Sequence, residues 1–303
     1  MKIKIQLYLL LAALPSLAFY ACEETGADYL FQKPKSAGGF EISKRPDSTA
    51  EKQLKGILIE DFTGYNCQNC PKAADELHRI DSVFEGRIVP VAIHAEPQNF
   101  TDPSTKDKSK YDLRSEDSKA IYNLVQVDGQ LPKGAVDRKI FDFYAPGVLH
   151  MPYLSWNQAV EERIAETSPC NINFKLVERT NDSLKFTITV FYHESVNEPQ
   201  YLTVYVLENG IEDYQLDGRD WVSNYSFEHV LRYVPTNITG DVLEQTIAKG
   251  DVFKKTFSIP VAKGVDGETY KTSWKAEKLS VAAFVTHAGG LEVVHAAQSK
   301  LKE

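Results

Sequence analysis

The sequence lacks an excess of positive charge. Its 303 residues include 34 Lys and Arg against 42 Asp and Glu, a formal net charge of −8. Nucleic-acid binding depends on basic side chains that neutralise phosphates, so this composition excludes that class of partner. The sequence also lacks a Walker loop, a Gly-x-Ser-x-Gly elbow and a dinucleotide fingerprint, and its seven histidines show no metal-ligand spacing. We therefore predict neither a metal nor a cofactor.

Long apolar runs are also missing, except near the N-terminus. The first four residues contain two lysines, and an apolar run from Ile5 to Leu17 follows. Ala21, which is small, directly precedes Cys22. A basic start, a short apolar run and a small residue before the cleavage point predict a signal peptide over residues 1–21. Lipid attachment to Cys22 is the main interpretation, and ordinary cleavage that leaves this thiol free is the alternative.

Removal of this leader would take two lysines from the chain and change its net charge from −8 to −10. Such an acidic chain is not drawn to anionic lipid, so the membrane would be bound through acyl chains on Cys22. Residues 22–55 are rich in Gly, Pro and charged residues, and they predict a tether. We expect an outer-membrane, lipid-anchored protein that faces the periplasm or the cell surface.

Residues 56–167 predict an α/β domain. A short apolar run, an amphipathic segment and a second apolar run follow one another at the spacing of a βαβ unit, which implies parallel strands. Further along, two helical segments flank a short apolar strand. The expected elements are strands at 56–62, 87–94 and 134–136, and helices at 71–84, 115–124 and 156–166.

After Pro169 the apolar residues recur at every second position. This period and the turn residues between the segments are typical of an antiparallel, all-β sandwich with an immunoglobulin-like architecture, here over residues 168–303. The alternating segments are 172–176, 184–192, 202–206, 257–259 and 279–285.

Besides Cys22, the chain has three cysteines: Cys67, Cys70 and Cys170. The first two stand where a predicted strand gives way to a helix, and a helix N-terminus stabilises a thiolate. This position favours Cys67 as a nucleophile in thiol–disulfide exchange and Cys70 as the resolving thiol. A static disulfide is the alternative, and the spacing does not exclude a bond from Cys170 to either cysteine.

Residues 61–70 resemble the active-site segment of the thioredoxin superfamily. In that family an acid six residues before the first cysteine assists proton transfer to the resolving thiol, and Asp61 stands at this spacing. The family also places a cis-proline opposite the cysteine pair, and residues 127–132 are similar to that turn. The resemblance implies that Pro132 is the cis residue.

A second resemblance covers most of the mature chain. Residues 61–71 read Asp-Phe-Thr-Gly-Tyr-Asn-Cys-Gln-Asn-Cys-Pro, and residues 229–232 read His-Val-Leu-Arg. Both segments are similar to motifs of a Bacteroidetes outer-membrane lipoprotein family named for a twenty-eight-kilodalton member. The resemblance implies a thioredoxin-like domain followed by a β-sandwich, with adhesion suggested for some members. Asn66 departs from thioredoxins, which have tryptophan there, and Pro71 follows the pair instead of separating it.

Residues 205–233 are rich in aromatic side chains and arginine. Such a segment suits contact with a protein or a glycan, or it belongs to the sandwich core and a long loop. Two functional hypotheses follow. The first is a lipid-anchored thiol–disulfide oxidoreductase that uses Cys67, Cys70, Asp61 and Pro132. The second is a non-catalytic surface binding or adhesion protein, which keeps the first domain as a scaffold and binds through the β-sandwich.

Overall fold

A computed structural model describes residues 39–45, 51–95, 100–103, 109–264, 271–287 and 291–301. The predicted signal peptide, Cys22 and most of the predicted tether lie outside these residues. The described part of the chain is mixed α/β, with mostly β structure and few helices. None of its helices has the length and hydrophobicity required of a transmembrane span.

The described residues form fourteen strands and three α-helices. The helices are α1 (Cys70–Val83), α2 (Glu116–Val125) and α3 (Trp156–Ile164). The strands are β1 (Glu41–Lys44), β2 (Ile57–Phe62), β3 (Ile88–Ile93), β4 (Lys133–Val136), β5 (Cys170–Arg179), β6 (Ser183–Tyr192), β7 (Gln200–Glu208), β8 (Ile211–Asp217), β9 (Asp220–Phe227), β10 (Val230–Tyr233), β11 (Asp241–Glu244), β12 (Asp251–Pro260), β13 (Leu279–Thr286) and β14 (Val293–Ser299).

The β2–α1–β3 unit has the parallel pairing that the sequence predicts. β2 and β3 are parallel, with Ile57 opposite Ile88, and β4 pairs antiparallel on the other side of β2. Every residue of β2 is buried. Strands buried on both faces are expected to be continuously apolar, as this one largely is. The apolar stripe of α1 packs against one face of the sheet through Ala73, Leu77 and Ile80.

One sheet of eight strands joins the two halves of the chain. Its order is β14–β13–β7–β10–β3–β2–β4, and β11 pairs with β7 beside this path. The junction is a parallel contact of β10 with β3, where Val230 lies opposite Ala92. Strands from before and after residue 168 therefore share one sheet and one apolar core. The domain boundary at residues 167–168 stays a prediction.

The alternating segments after Pro169 form strands as predicted. Four strands make a second sheet in the order β1–β12–β6–β5. Its inward side chains, among them Phe186, Phe253 and Phe257, share a core with residues of β7 and β13. The two sheets therefore pack face to face, as alternation of apolar and polar residues requires.

The predicted aromatic loop over residues 205–233 is largely regular structure. It contains the β8–β9 hairpin and β10, which joins the central sheet. None of its tyrosines, its tryptophan or its phenylalanine is exposed. β9 has four polar residues among eight and no apolar period, so its strand character depends on pairing with β8.

An ion pair without solvent contact links the first strands to β7. The Arg138 guanidinium lies 2.7 and 2.8 Å from the carboxylate oxygens of Glu60, and both side chains are 0% exposed. The Tyr205 hydroxyl donates to Glu60 at 2.8 Å and accepts from Arg138 at 2.6 Å. The Phe284 ring lies 5.1 Å from the guanidinium carbon. This cluster, the Glu60–Arg138–Tyr205 triad, ties β2, the end of β4 and β7 together.

We expect Arg138→Met to lower the free energy of unfolding by about 3–5 kcal/mol, because it leaves the Glu60 carboxylate buried without a cation. Urea denaturation followed by tryptophan fluorescence measures the change. Arg79→Met is the matched control, since Arg79 pairs with Glu76 on an exposed helix face and such pairs contribute at most about 1 kcal/mol. Equal effects of the two substitutions would contradict the claim that the buried Glu60–Arg138 pair is essential to the stability of the fold.

Candidate functional site

Cys67 and Cys70 form a disulfide at the start of α1. Their sulfur atoms are 2.00 Å apart and their Cα atoms 5.4 Å apart. α1 begins at Cys70, so Cys67 lies in the loop just before the helix. The structure thus decides the pairing that the sequence left open, and it leaves Cys170 as a buried free thiol.

The loop before the pair is closely packed against a neighbouring segment. A Cβ added to Gly64 would lie 2.3 Å from the carbonyl oxygen of Phe100, so only glycine fits there. The backbone N–H of Asn66 donates to the same Phe100 carbonyl at 2.9 Å. Two successive turns follow, with Cys67 N–H bonded to Gly64 O and Cys70 N–H bonded to Cys67 O. The close approach of the Phe100 carbonyl therefore explains why the Phe-Thr-Gly segment has glycine at its third position.

The β8–β9 hairpin covers this loop. Backbone amides of Leu216 and Gly218 donate to Tyr65 O and Gln68 O, each at 2.9 Å. The Gln215 side-chain amide donates to Gly64 O at 3.2 Å and to Cys67 O at 3.1 Å. As a result Cys67 is 1% exposed and Cys70 is 2% exposed. The disulfide is closed to solvent in this arrangement.

Asp61 is a buried carboxyl near the end of β2. It is 3% exposed, and its Oδ1 has no hydrogen-bond partner among the described residues. Burial raises the pKa of Asp61 from 3.8 to about 8, since water no longer solvates the charged form. The carboxyl is therefore mostly protonated at neutral pH.

Asp61 differs from its neighbour Glu60, although both are buried. Side chains alternate along a strand, so Glu60 points to the face with Leu58 and Phe62, where Arg138 pairs with it. Asp61 points to the opposite face, which α1 covers. The described residues that line its surroundings include no Lys or Arg. Glu60 thus pairs with the Arg138 guanidinium, whereas no Lys or Arg of the described residues lines the surroundings of Asp61.

Asp61 lies in a cleft between α1 and the segment 225–229. The cleft has about 610 Å³ of empty space, part of it open to solvent. Its wall includes Cys70 from the disulfide and Gln215 from the hairpin. Further lining residues are Thr63, Ala74, Leu77, His78, Asp81, Pro90, Ala92, Tyr225, Ser226, Phe227, Glu228 and His229.

The Leu131–Pro132 peptide bond is cis, as the resemblance of residues 127–132 to the thioredoxin turn implies. Leu131 belongs to the same large apolar cluster as Cys67 and Cys70, so the turn before β4 shares a core with the pair. Cys170, in contrast, lies in the core between the two sheets. Burial raises the pKa of its thiol to about 12, which makes a role in exchange unfavourable.

The sequence did not single out His229 and Glu228 as parts of this cleft. It does contain one signal, because Cys70, Ala74, Leu77, His78 and Asp81 recur at helical spacing along α1. Polar residues on an otherwise apolar stripe indicate a helix face that borders a cavity. The contribution of the segment 225–229 depends on the parallel pairing of β10 with β3, which local patterns do not reveal.

These features define a mixed α/β protein, mostly β, with a closed Cys-x-x-Cys disulfide beside an acidic cleft. The family model described as outer membrane protein Omp28 matches residues 118–303, more than half of the chain. The chain belongs to the Omp28 family of outer membrane proteins, and its location is the outer membrane, as predicted from the sequence. No curated protein shows significant similarity to the chain.

Three of the solved structures that match this chain differ in how closely they resemble it, and the one with a TM-score above 0.5 shares its fold. HBP35 of Porphyromonas gingivalis is 19% identical over 83% of this chain and 77% of its own, with a TM-score of 0.61. A protein from Agrobacterium tumefaciens is 14% identical over 84% of this chain and 97% of its own, with a TM-score of 0.48. A domain of the outer membrane lipoprotein Omp28 from Porphyromonas gingivalis is 20% identical over 45% of this chain and 89% of its own, with a TM-score of 0.29.

We expect Asp61→Asn to stabilise the protein in a pH-dependent manner. The carboxyl ionises near 3.8 when unfolded and near 8 when folded, so wild-type stability falls as pH rises from about 4 to 8. The substitution should raise the free energy of unfolding by on the order of 5 kcal/mol at pH 8 and by less than about 1 kcal/mol at pH 4. Denaturation at both pH values measures this difference.

Asp142→Asn is the control, because Asp142 is exposed and its substitution removes no buried charge. A stabilisation by Asp61→Asn that is equal at pH 4 and pH 8 would show that the Asp61 carboxyl ionises normally in the folded protein.

Proposed function

We propose that the protein is a lipid-anchored thiol–disulfide exchange protein of the outer membrane. In this proposal Cys22 bears the lipid, residues 22–55 are the tether, residues 56–167 form a thioredoxin-like domain and residues 168–303 form an immunoglobulin-like β-sandwich. Cys67 and Cys70 are the redox pair, Asp61 transfers the proton, and Pro132 shapes the surface beside the pair.

The arrangement of the first domain supports this assignment. The cysteine pair lies where β2 gives way to α1, and a parallel strand follows the helix. A cis-proline precedes β4, which pairs antiparallel with β2. The cysteine pair and the buried acid thus share one cleft, and the cis-proline precedes the strand that pairs with β2.

The observation that carries the proposal is the unpaired Asp61 carboxyl on the same cleft as Cys70. A static disulfide needs no ionisable group beside it, and burial of an unpaired carboxyl costs stability. A carboxyl with a pKa of about 8 holds its proton at neutral pH and can give it to a thiolate.

Reduction would proceed in two steps. An external thiolate attacks Cys67 Sγ, and the bond to Cys70 breaks with its electron pair on Cys70 Sγ. Asp61 gives its proton to that thiolate. The mixed disulfide joins one sulfur of the dithiol reductant to Cys67 Sγ. The second thiolate of the reductant then attacks the reductant sulfur of this bond and releases Cys67 as a thiolate. The partner is thereby oxidised to a disulfide, and Asp61 takes up a proton from solvent.

Attack requires access to Cys67, which the β8–β9 hairpin covers. In the proposal the hairpin opens by losing the bonds from Gln215, Leu216 and Gly218 to the cysteine loop. Exchange would then depend on hairpin opening, and a partner that binds the hairpin would promote it.

The second candidate is a non-catalytic surface protein that binds a protein or glycan partner through the β-sandwich. The burial of Cys67 and Cys70 favours this alternative, since a structural staple is also inaccessible. The reduction potential of the Cys67–Cys70 disulfide distinguishes the two functions.

The test is the reduction potential of the Cys67–Cys70 pair in the purified full chain, measured by equilibration with glutathione buffers and thiol trapping. The exchange function predicts a potential above about −250 mV. A value below about −300 mV, or a bond that dithiols reduce only after unfolding, would make the disulfide a staple and support the binding protein.

Two substitutions test the mechanism. Gln215→Leu removes two hydrogen bonds that hold the hairpin closed, so it should speed reduction by dithiothreitol about tenfold or more. Asp61→Asn should slow reduction by about tenfold to a hundredfold and, once rates are corrected for the thiolate fraction of dithiothreitol, remove the inflection near pH 8. Gln158→Leu, at an exposed position of α3, is the control for the first change. An unchanged rate in Asp61→Asn would refute the proton transfer.

Lipid attachment predicts that Cys22→Ser moves the protein from the membrane fraction to the soluble fraction of the cell, because a chain without acyl groups loses its anchor. Fractionation and immunoblotting measure the distribution. A variant that stays in the membrane fraction would indicate that another part of the chain provides the attachment.

A further inference from the structure

The cleft beside Asp61 has a one-sided charge. Its acidic side chains are Asp61, which is mostly protonated at neutral pH, Asp81 and Glu228, and no Lys or Arg lines it among the described residues. His229 is its most enclosed imidazole, and burial lowers the pKa of His229 to about 4, so this ring is neutral at pH 7. The cleft therefore attracts cations and repels anions.

Three polar atoms of this cleft are buried without a hydrogen-bond partner among the described residues. They are Oδ1 of Asp61, Oδ1 of Asp81 and Nδ1 of His229, and His229 Nδ1 is an acceptor when the ring carries its proton on Nε2. Asp61 is the most buried of the three residues, at 3% exposed. Buried polar groups normally have partners, and several unpaired acceptors around one cavity indicate a ligand that brings donors.

A single metal ion does not fit this arrangement. No group of three His, Cys, Asp or Glu side chains in the described part of the chain is close enough to share one ion. The acceptors therefore suit a larger cation whose donors are spread over several atoms. A guanidinium group has five N–H donors in a planar fork and pairs well with carboxylates.

Part of the remaining wall of the cleft is apolar or aromatic. Ala74 and Leu77 of α1, Pro90 and Ala92 of β3 and the Phe227 ring contribute to it. Such a surface suits the methylene chain that carries a guanidinium group, because long cationic side chains bury their stems along apolar surface.

We propose that this cleft binds the guanidinium group of an arginine side chain, as part of a peptide or protein ligand. Asp61 and Asp81 accept hydrogen bonds from the guanidinium, His229 accepts a further one, and Glu228 contributes negative charge. Glu228 is already bonded to Ser226 and to the Gly210 amide, which hold its carboxylate in place. The site does not require the disulfide to exchange, so it stands independently of the proposed function.

Binding should release a proton near neutral pH. A bound guanidinium favours the ionised form of Asp61, which is otherwise protonated there because of its burial. The titratable groups that face Asp61 from the elements packed against it belong to α1 and to the segment 225–229. They are His78, Asp81, Tyr225, Glu228 and His229.

The test is isothermal titration calorimetry of the full chain with Nα-acetyl-argininamide, in two buffers of different ionisation enthalpy. We expect saturable binding with proton release at pH 7 and an affinity that increases from pH 6 to pH 9. The citrulline analogue, which is neutral and of the same shape, should bind at least about tenfold more weakly, because it lacks the charge-assisted hydrogen bonds.

Substitutions identify the side chains that accept hydrogen bonds from the arginine probe. Asp81→Asn should weaken binding by about tenfold, and Asp61→Asn should also abolish proton release. Glu162→Gln, on an exposed face of α3, is the matched control and should bind within about twofold of the wild type. Near-UV circular dichroism of each variant checks that it is folded.

Three outcomes would overturn the proposal. They are equal binding of the citrulline and arginine probes, unaltered binding by folded Asp81→Asn and Asp61→Asn, and binding of Zn²⁺ or Mn²⁺ that displaces the arginine probe. The last outcome would reassign the cleft as a metal site. Loss of disulfide exchange with intact arginine binding would affect only the proposed function.

Discussion

The Glu60–Arg138–Tyr205 triad is the interaction on which the rest of the structure depends. A buried ion pair of this kind is stable only when every partner is in place, because removal of one member leaves an unpaired charge away from water. Here the partners come from β2, the end of β4 and β7. The triad therefore fixes how the first strands of the chain lie against strands that follow more than 60 residues later.

This constraint also determines where Asp61 points. Since side chains alternate along β2, fixing Glu60 towards Tyr205 directs Asp61 to the face that α1 covers. Two adjacent carboxyl groups thereby have opposite environments: one is neutralised by Arg138, and the other has no cation and a pKa of about 8. We infer that the Glu60 carboxylate stabilises the fold and that the Asp61 carboxyl acts in the candidate site.

The site is closed by a part of the chain that is distant in sequence. The β8–β9 hairpin bonds to the loop around Cys67, and residues 225–229 complete the cleft at Asp61. Access to the disulfide and the shape of the cleft are thus both set by one hairpin and the residues that follow it. A ligand in the cleft would contact the hairpin, the acid and Cys70 at once, which offers a physical route from binding to redox state.

Much of the fold follows from local sequence patterns. The apolar runs and helical spacing of residues 56–167 predict β2, α1, β3 and β4, and the period of two after Pro169 predicts most of the long strands. The cysteine pair, Asp61 and cis Pro132 follow from resemblance to a known active-site segment. These elements are determined by residues close together in the chain.

The features that the sequence did not reveal depend on long-range pairing. β10 joins β3 through a parallel contact that local periodicity does not encode, and β9 is too polar to be recognised as a strand. The covering of Cys67 depends on Gln215, a residue about 150 positions away whose amide bonds to backbone carbonyls. Glu60 and Arg138 show no pattern in sequence because their pairing is set by the strand register.

The most direct test of the central claim is the pKa of Asp61 itself, measured by carbon-13 NMR titration of its side-chain carboxyl in the oxidised protein. Burial of this carboxyl predicts a midpoint near 8, which disappears from the spectrum of Asp61→Asn. A midpoint near 4 would show that the carboxyl is solvated or paired in solution, and it would contradict both the proton transfer to Cys70 and the proton release on arginine binding.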